Sequence, residues 1–337
     1  MPLPIEYPWH HALWRGLTAR RERLPHALLL QGPRGLGKAA LAARLARALL
    51  CLQPAADGEA CGVCKSCRLF ASGTHPDFVK VLPAEEGKAI LVDQIRALSG
   101  FFYLRPHTAA RKIAIITPAE AMNLNAANSL LKVLEEPPLG SVLVLVSSQP
   151  ASLPVTVRSR CSRLDFAVPP RELTLGWFAG LANKPEQAEL YLELAGGAPL
   201  LALALAEAGF LEQRERLLED MDKLSTGADT PLACAARWKQ WDAERCLSWL
   251  LGFAADVIKL AMLAAAHRKQ GGGAGGLSLA NPDARDRLQA MAERLNLSQM
   301  FSFFDIVSQA RKLLSGPLDE LLLLEDVLIR WSRLSRP

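Results

Sequence analysis

The sequence predicts two kinds of fold in one chain: an α/β unit built on a parallel sheet, followed by an all-α region. The first half alternates short apolar runs with segments of helical period, which is the pattern of alternating strands and helices. From about Pro169 the strand pattern disappears, and Leu-rich segments of helical period continue to the end. A chain of 337 residues is too long for one ordinary domain, so two or three packed units are expected.

Five short apolar runs predict the strands of the sheet. Each is bounded by polar or turn residues, and most are rich in β-branched or large apolar side chains, so we expect buried strands. Strands that alternate with helices imply a parallel sheet with helices on both faces. The predicted strands are 27–30, 78–82, 113–116, 142–146 and 164–166.

A glycine-rich loop, GPRGLGKA at 32–39, lies between the first predicted strand and a predicted helix. Its glycines allow backbone N–H groups to wrap an anion, and Lys38 would reach the outer phosphates of a nucleotide. The candidate nucleotide-binding residues of this degenerate loop are therefore Gly32, Gly35, Gly37, Lys38 and Ala39. The residue after the lysine should carry a hydroxyl for Mg²⁺, and Ala39 has none.

The strand that should bring the second metal ligand ends in Thr117 and Pro118. An ATPase of this architecture needs an Asp followed by a Glu at these positions. Glu120 lies two positions further on, where we expect it on the opening turn of a helix, compensating the helix dipole. Both losses favour an inherited strand–helix connection, or weak and non-productive nucleotide binding, over hydrolysis.

Four cysteines predict a closed metal site. Cys61, Cys64 and Cys67 have CxxCxxC spacing, and Cys51 lies ten residues earlier, at the end of the helix that follows the glycine loop. Four thiolates suit tetrahedral zinc. We expect the zinc to be structural, because the segment that carries the cysteines lacks a hydrophobic core of its own. Buried inert thiols and a redox pair are the alternatives.

A short arginine motif, Ser159-Arg160-Cys161, follows the fourth predicted strand and precedes the fifth. A planar guanidinium on a short connection can stabilise charge on a transferring phosphate, including a phosphate held by a neighbouring subunit. Read alone, the motif favours a solvated or ion-paired surface arginine.

The second half carries helical patterns separated by turn signals. The segment 172–208 is long enough for a small helical domain, and AGGAP at 195–199 predicts a turn between two of its helices. Helical periods extend over 238–263 and 319–334, and the glycine run at 271–276 predicts a flexible loop.

Composition excludes several classes. The net charge of +5 is only mildly basic, so it permits contact with phosphate without indicating a dedicated nucleic-acid domain. No membrane span is expected, because Asp256 and Lys259 interrupt the most apolar stretch, and the N-terminus lacks the apolar run of a signal peptide. We therefore expect a cytoplasmic protein.

Seven cysteines in such a chain argue against a disulfide scaffold, and Cys234 and Cys246 are interpreted as helix-packing residues.

Together these motifs resemble bacterial clamp-loader subunits of the AAA+ class. The resemblance covers roughly residues 1–205 and rests on PHALLLQGP at 25–33, the four-cysteine insert, THPD at 74–77, NSLLKVLEEPP at 128–138 and LPVTVRSRC at 153–161. Motor subunits of this family (gamma and tau) carry Thr after the lysine and an Asp-Glu pair, so Ala39, Thr117 and Pro118 resemble a subunit that is not a motor. Leu200 likewise stands where motor subunits present a nucleotide-sensing arginine.

The resemblance implies three domains. These are an AAA+ α/β domain at 1–167 with a zinc module at 51–67, a helical lid at 168–208, and a helical collar at 209–337 that packs in a ring with other subunits. The collar is recognised only by its position and its helical pattern.

The resemblance also implies a function. The chain would be a non-hydrolysing stator of the DNA polymerase III clamp loader, with gamma/tau and delta subunits, the sliding clamp and primed DNA as partners, and no membrane. It would have no ATPase activity alone, although it would belong to a DNA-directed DNA polymerase, a nucleotidyltransferase. Ser159, Arg160 and Cys161 match the family's trans-acting arginine motif, so Arg160 would complete a neighbour's ATP site. An active motor ATPase and a zinc-dependent nucleic-acid binder are the alternatives.

Overall fold

In the computed structural model, internal contacts divide the chain into two units. The first unit is Met1–Pro185 with Gly197–Ala202, and the second is Glu186–Gly196 with Leu203–Pro337. The predicted division into three domains stays a prediction. The structure describes residues 6–85, 87–180, 187–270, 279–314, 316 and 318–334, so the glycine run at 271–276 lies outside the described residues.

A five-stranded sheet in the order β2-β3-β4-β1-β5 forms the centre of the first unit. All four strand pairs are parallel, which confirms the predicted parallel sheet. The strands are β1 (Ala27–Gln31), β2 (Phe78–Val81), β3 (Lys112–Ile116), β4 (Ser141–Ser147) and β5 (Ser162–Asp165).

The fifth strand differs from its prediction. It begins at Ser162, two residues earlier than predicted, and three of its four residues are exposed. It is an edge strand that pairs only with β1, so only one end of it reaches the core. The apolar pattern therefore marked Leu164 near the end of β5 and Phe166 just after it, and missed the polar beginning of the strand.

Helices cover both faces of the sheet, as predicted. Leu28 and Leu30 of β1 pack with the helix that follows the glycine loop, while Leu29 packs on the opposite face with Leu130. Alternate residues of a strand point to opposite faces, so one strand supplies both cores. The helices of this unit before its last segment are α1 (His11–Ala19), α2 (Lys38–Leu50), α3 (Lys65–Ala71), α4 (Val92–Tyr103), α5 (Leu124–Glu135), α6 (Val155–Arg158) and α7 (Arg171–Ala179).

The two helices nearest the candidate sites form for local reasons. In α2, Leu41, Leu45 and Leu49 recur every fourth residue, and all three are buried. Helix α5 begins where the Asn123 side chain accepts the Ala126 N–H at 2.8 Å, which is an N-cap. These contacts hold both helices firmly on the sheet.

The second unit contains helices only among its described residues. They are α8 (Ala188–Leu194), the end of α9 (Pro199–Glu207), α10 (Phe210–Thr226), α11 (Pro231–Trp238), α12 (Ala243–Gln270), α13 (Arg285–Arg294), α14 (Leu297–Leu313) and α15 (Glu320–Leu334). The predicted turn before α9 and the predicted helix at 319–334 are confirmed. The predicted helix at 238–263 was wrong at its start, because α11 ends at Trp238 and Asp242 caps a new helix by accepting the Arg245 N–H at 2.9 Å.

Helix α12 is long and apolar enough over Ala243–Ala265 to pass a test for a membrane span, with a mean hydropathy of 1.7. Half of that window is buried inside the protein. Asp256 on this helix is fully buried and accepts the N–H groups of Ala280 and Asn281 at 2.9 and 2.7 Å. We therefore regard α12 as the core helix of the second unit. A buried core helix can be as long and as apolar as a helix that spans a membrane.

Candidate functional sites

The glycine loop lies between β1 and α2, at the edge of the sheet where the strands have their carboxyl ends. Open α/β sheets bind ligands at this edge. Gly35 and Gly37 have φ of +76° and +79°, values that side chains with a Cβ rarely adopt. The five candidate residues of the loop all lie in this connection or at the start of α2, and Gly37 is the N-cap of α2.

The chain itself contacts this loop on two sides. A Cβ atom on Gly35 would lie 2.6 Å from Cβ of Leu201, and one on Gly37 would lie 2.7 Å from the Tyr7 ring. Leu200, at the start of α9, donates its N–H to the Gly35 carbonyl at 3.0 Å. Apolar residues and a backbone hydrogen bond therefore hold the start of α9 against the loop.

The segment before α1 holds the middle of the loop. Trp9 Nε1 donates to the Leu36 carbonyl at 3.0 Å, and His10 Nε2 lies 2.8 Å from the same oxygen. The Trp9 ring stacks on Tyr7 and meets Trp177 edge-on, both at 5.0 Å between centroids. Burial lowers the pKa of His10, although its hydrogen bond to Leu36 raises it. The neutral His10 donates this bond, because a carbonyl accepts.

The lysine of the loop turns toward the loop's own backbone. Lys38 Nζ donates to the carbonyls of Gly32 and Pro33 at 2.7 and 2.5 Å, and the residue is only 4% exposed. Burial lowers the pKa of Lys38 to about 8, while Glu120 acts in the opposite direction. The ammonium group is therefore costly to keep charged and is already hydrogen-bonded.

Glu120 does not have the role expected of it. It lies on a separate 3₁₀ turn, Ala119–Ala121, and α5 begins only at Leu124. Its Oε1 accepts the Ser148 N–H at 2.9 Å, just beyond the end of β4. Its Oε2 is buried without a hydrogen bond among the described residues. The helix-dipole interpretation was wrong, because this carboxylate joins the ends of β3 and β4.

The four cysteines come together as predicted. The sulfur atoms of Cys51, Cys61, Cys64 and Cys67 all lie within 4.8 Å of one another, a group that can hold a metal ion. Zn–S bonds of about 2.3 Å separate the sulfurs of a tetrahedral site by about 3.8 Å, and Cys51 and Cys64 lie 4.0 Å apart. The donor set fits zinc in a closed site.

Backbone N–H groups support this cluster. The Cys61 N–H points to the Cys51 sulfur at 3.3 Å, and the N–H groups of Cys64 and Cys67 point to the sulfurs of Cys61 and Cys64 at 3.4 Å. Burial raises the pKa of Cys64, but hydrogen bonds from Cys67 and Leu52 outweigh it and lower this pKa to about 6. Burial raises the pKa of Cys67 to about 12. Donors aimed at sulfur favour the thiolate that a metal requires.

A buried polar network connects the cysteine module to the sheet. The Ser66 hydroxyl donates to the Leu50 carbonyl at 2.6 Å and lies 2.8 Å from His75 Nε2. Asp77, which is fully buried, accepts three backbone N–H groups at 2.7 to 2.9 Å and lies 3.6 Å from Lys112 Nζ. The THPD motif at 74–77 therefore anchors β2 and β3 at the edge where the strands begin.

Arg160 lies at that same amino edge, two residues before β5. Its NH2 group pairs with Glu135 Oε1 at 2.8 Å, and its NH1 group donates to the Thr156 carbonyl at 2.9 Å. The Arg160 side chain remains 37% exposed. Its neighbour Ser159 is exposed, while Cys161 is buried in the core and burial raises its pKa to about 11. Within this chain Arg160 is therefore an ion-paired surface arginine. Its contact with a phosphate of a neighbouring subunit stays a prediction.

Several site residues were missed by sequence reasoning. Tyr7, Trp9 and His10 entered the sequence analysis only as part of an N-terminal segment without the apolar run of a signal peptide. They precede α1, and no local pattern connects them with the glycine loop. Glu135 appeared within a motif without a role. Cys234 and Cys246 are fully buried on helices of the second unit, as expected.

Comparison with known families assigns the chain. The family described as DNA polymerase III, delta subunit matches residues 13–170, and its C-terminal counterpart matches residues 208–333. The DNA polymerase III subunit delta' of Pseudomonas aeruginosa is 38% identical over 98% of both chains. The chain belongs to the DNA polymerase III delta' subunit family. The Escherichia coli delta' subunit is 31% identical over 98% of this chain and 96% of its own length.

The chain is also similar to a tau subunit and to a solved gamma subunit-related protein. The tau subunit of Bacillus subtilis is 31% identical over 56% of this chain and 32% of its own length. A solved gamma subunit-related protein from Thermotoga maritima has a TM-score of 0.43 and 18% identity, covering 96% of this chain and 99% of that one. The predicted fold class, a parallel-sheet α/β unit with a four-cysteine module followed by helices, is confirmed for this delta' family member.

Proposed function

We propose that this chain is a non-hydrolysing stator in the clamp-loader complex of DNA polymerase III, helping to load the sliding clamp onto primed DNA. Family membership supports a place among clamp-loader subunits. The stator role rests on a contrast between the two edges of one sheet. The carboxyl edge holds a phosphate loop without its metal ligands, and the amino edge presents Arg160.

The opposite placement of these two sites carries the proposal. Strands β1 and β5 are parallel, with Gln31 opposite Asp165, so the loop after β1 and Arg160 before β5 lie at opposite ends of β5. Four residues of strand span about 13 Å. Arg160 is therefore separated from the chain's own loop by the length of β5, which supports the proposal that the phosphate it meets belongs to another subunit.

The composition of the loop supports a silent site. Ala39 offers no hydroxyl to Mg²⁺, and Thr117 and Pro118 replace the acidic pair. Lys38 is hydrogen-bonded to the loop itself, and Leu200 holds the start of α9 on Gly35. A nucleotide would have to displace these contacts, so we expect nucleotide binding to be weak or absent.

The remaining parts of the proposal follow from the family. The lid at 168–208 and the collar at 209–337 would complete a three-domain subunit beside the α/β domain at 1–167. The collar helices would pack against gamma/tau and delta subunits in the cytoplasm. Zinc bound at Cys51, Cys61, Cys64 and Cys67 would be a structural cofactor that holds the module at 51–67 together.

The test uses the clamp loader reconstituted from this chain, motor subunits, the delta subunit, the clamp and primed DNA. Arg160→Ala should leave assembly intact. It should lower the rate of ATP hydrolysis at the neighbouring motor subunit's site at least about tenfold, because an arginine supplied in trans stabilises charge in the transition state. Arg163→Ala, which removes an exposed arginine on β5, is the matched control and should keep the wild-type rate. An unchanged rate in Arg160→Ala would remove the trans role.

The isolated chain separates the alternatives. A motor ATPase would hydrolyse ATP alone and lose that activity in Lys38→Ala, whereas the stator should show no turnover in either form. A zinc-dependent nucleic-acid binder would hold DNA tightly as a monomer, with a steep dependence on salt and loss of binding on chelation. Either result with the purified chain would overturn the stator proposal.

A further inference from the structure

The guanidinium of Arg160 is held at two points by neighbouring elements. Glu135, the last residue of α5, lies 2.8 Å from NH2, and the Thr156 carbonyl on α6 accepts from NH1 at 2.9 Å. An arginine has five N–H donors in one plane. Two of them have acceptors here, so within the described part of the chain three remain to meet an incoming anion.

The groups that hold Arg160 are themselves on firmly packed elements. Leu130, Val133 and Leu134 of α5 are buried in the core of the first unit, and so is Val157 of α6. His26 Nε2 lies 3.1 Å from the Leu134 carbonyl, which ties down the last turn of α5. Glu135 is therefore attached to a rigid support beside a flexible arginine side chain.

The stability of the fold does not explain this carboxylate. Glu135 ends α5, where a negative charge is unfavourable because the C-terminal end of a helix already carries partial negative charge. The Glu135 side chain is 50% exposed, and exposed ion pairs contribute little to folding. What the pair does provide is a restricted orientation of Arg160, which reduces the entropy lost when the arginine engages a phosphate.

We propose that Glu135 is a positioning residue that orients Arg160 toward the phosphate held by a neighbouring motor subunit. This inference rests on the proposed function and adds the residue on which the arginine depends. Glu135 does not touch the nucleotide. It acts through Arg160, whose remaining N–H groups face the anion.

The experiment measures the Arg160-dependent part of ATP hydrolysis, defined as the difference between wild type and Arg160→Ala in the reconstituted clamp loader. Glu135→Gln should lower that part about three- to tenfold through kcat, with KM for ATP nearly unchanged, because orientation acts on the transition state. Glu135→Asp should recover part of the loss. Glu136→Gln, which changes the adjacent exposed glutamate, is the matched control and should have no effect.

A double variant separates positioning from a structural role. Glu135→Gln combined with Arg160→Ala should hydrolyse ATP no more slowly than Arg160→Ala alone, because a residue that acts through the arginine has nothing left to orient. A further loss in the double variant, or a wild-type or higher rate in Glu135→Gln, would overturn the positioning role. An unchanged rate in Arg160→Ala itself would instead overturn the proposed function.

Discussion

The two edges of the sheet in the first unit differ in how far their cationic side chains are buried. At the carboxyl edge Lys38 is buried and donates to the loop that carries it. At the amino edge Arg160 stays more than a third exposed and is held by a partner that leaves most of its donors open. The Lys38 ammonium group is thus hydrogen-bonded within its own loop, and the Arg160 guanidinium remains accessible to solvent.

This difference indicates that one parallel sheet can hold two cations in very different environments. The loop keeps its glycines because Leu201 and Tyr7 pack where side chains would otherwise project. A glycine loop is therefore no sign of nucleotide turnover, since close packing alone requires it. At the amino edge, by contrast, the buried Asp77 holds β2 and β3 together, while Glu135 and Thr156 hold Arg160 beside β5.

Loss of the proposed zinc site should have the largest effect, because the four thiols would join the module at 51–67 to the end of α2. Cys64→Ser, or a strong chelator, should lower the free energy of unfolding by about 5 kcal/mol or more, and the midpoint of thermal unfolding by about 10 °C. Zinc analysis should find about one ion per wild-type chain and none in the variant. Cys161→Ala should keep the zinc, since Cys161 lies outside the cluster. A metal-free chain of unchanged stability would contradict this account.

Loss of Asp77 should be the next largest effect. Asp77→Ala would leave Lys112 buried without its partner and should cost about 3 to 5 kcal/mol in urea unfolding. Asp93→Ala is the control, because Asp93 forms only an exposed pair with Arg96. A cost below about 1 kcal/mol for Asp77→Ala would mean that the amino edge does not depend on this network.

Asp77 also predicts a dependence on pH. Burial raises its pKa, but N–H donors from Ala109, His107 and Thr108 outweigh this and bring it below the ordinary value of 3.8. A lowered pKa means that the carboxylate stabilises the fold above pH 4 and that this stability is lost as the pH falls through the folded-state pKa. Wild type should therefore lose more stability below pH 4 than Asp77→Asn, and equal slopes would refute the assignment.

The smallest expected effect is that of replacing Lys38 at the carboxyl edge. Here the substitution should raise the free energy of unfolding, whereas the two changes above should lower it. The pKa of Lys38 falls from 10.5 to about 8, so burial of the charge costs stability below pH 8, and the cost disappears as the pH rises to 10.5. Lys38→Met should gain up to about 3 kcal/mol at pH 7, less its two lost hydrogen bonds, and should not gain stability between pH 8 and 10.5. Lys80→Met, at an exposed position on β2, is the control. A rise in stability in Lys38→Met over this pH range would show that another group titrates.

Much of the fold could be predicted from local patterns. The five strands, the helix after the glycine loop and the four-cysteine cluster each depend on residues close together in sequence. The polar start of β5 was missed because an edge strand lacks a continuous apolar run. The break between Trp238 and Ala243 was missed because both sides have helical period and only the cap at Asp242 separates them.

The amino-acid sequence alone determined the alternation of strands and helices and the set of thiol ligands. It also determined that the phosphate loop lacks a hydroxyl after its lysine and that no acidic pair follows β3. These features depend on residue identity and on spacings of a few residues. The tertiary structure decided that Leu201 and Trp9 cover the loop and that Glu135 meets Arg160. Those contacts join residues from 25 to more than 160 positions apart, and only the packing of the folded chain brings such residues together.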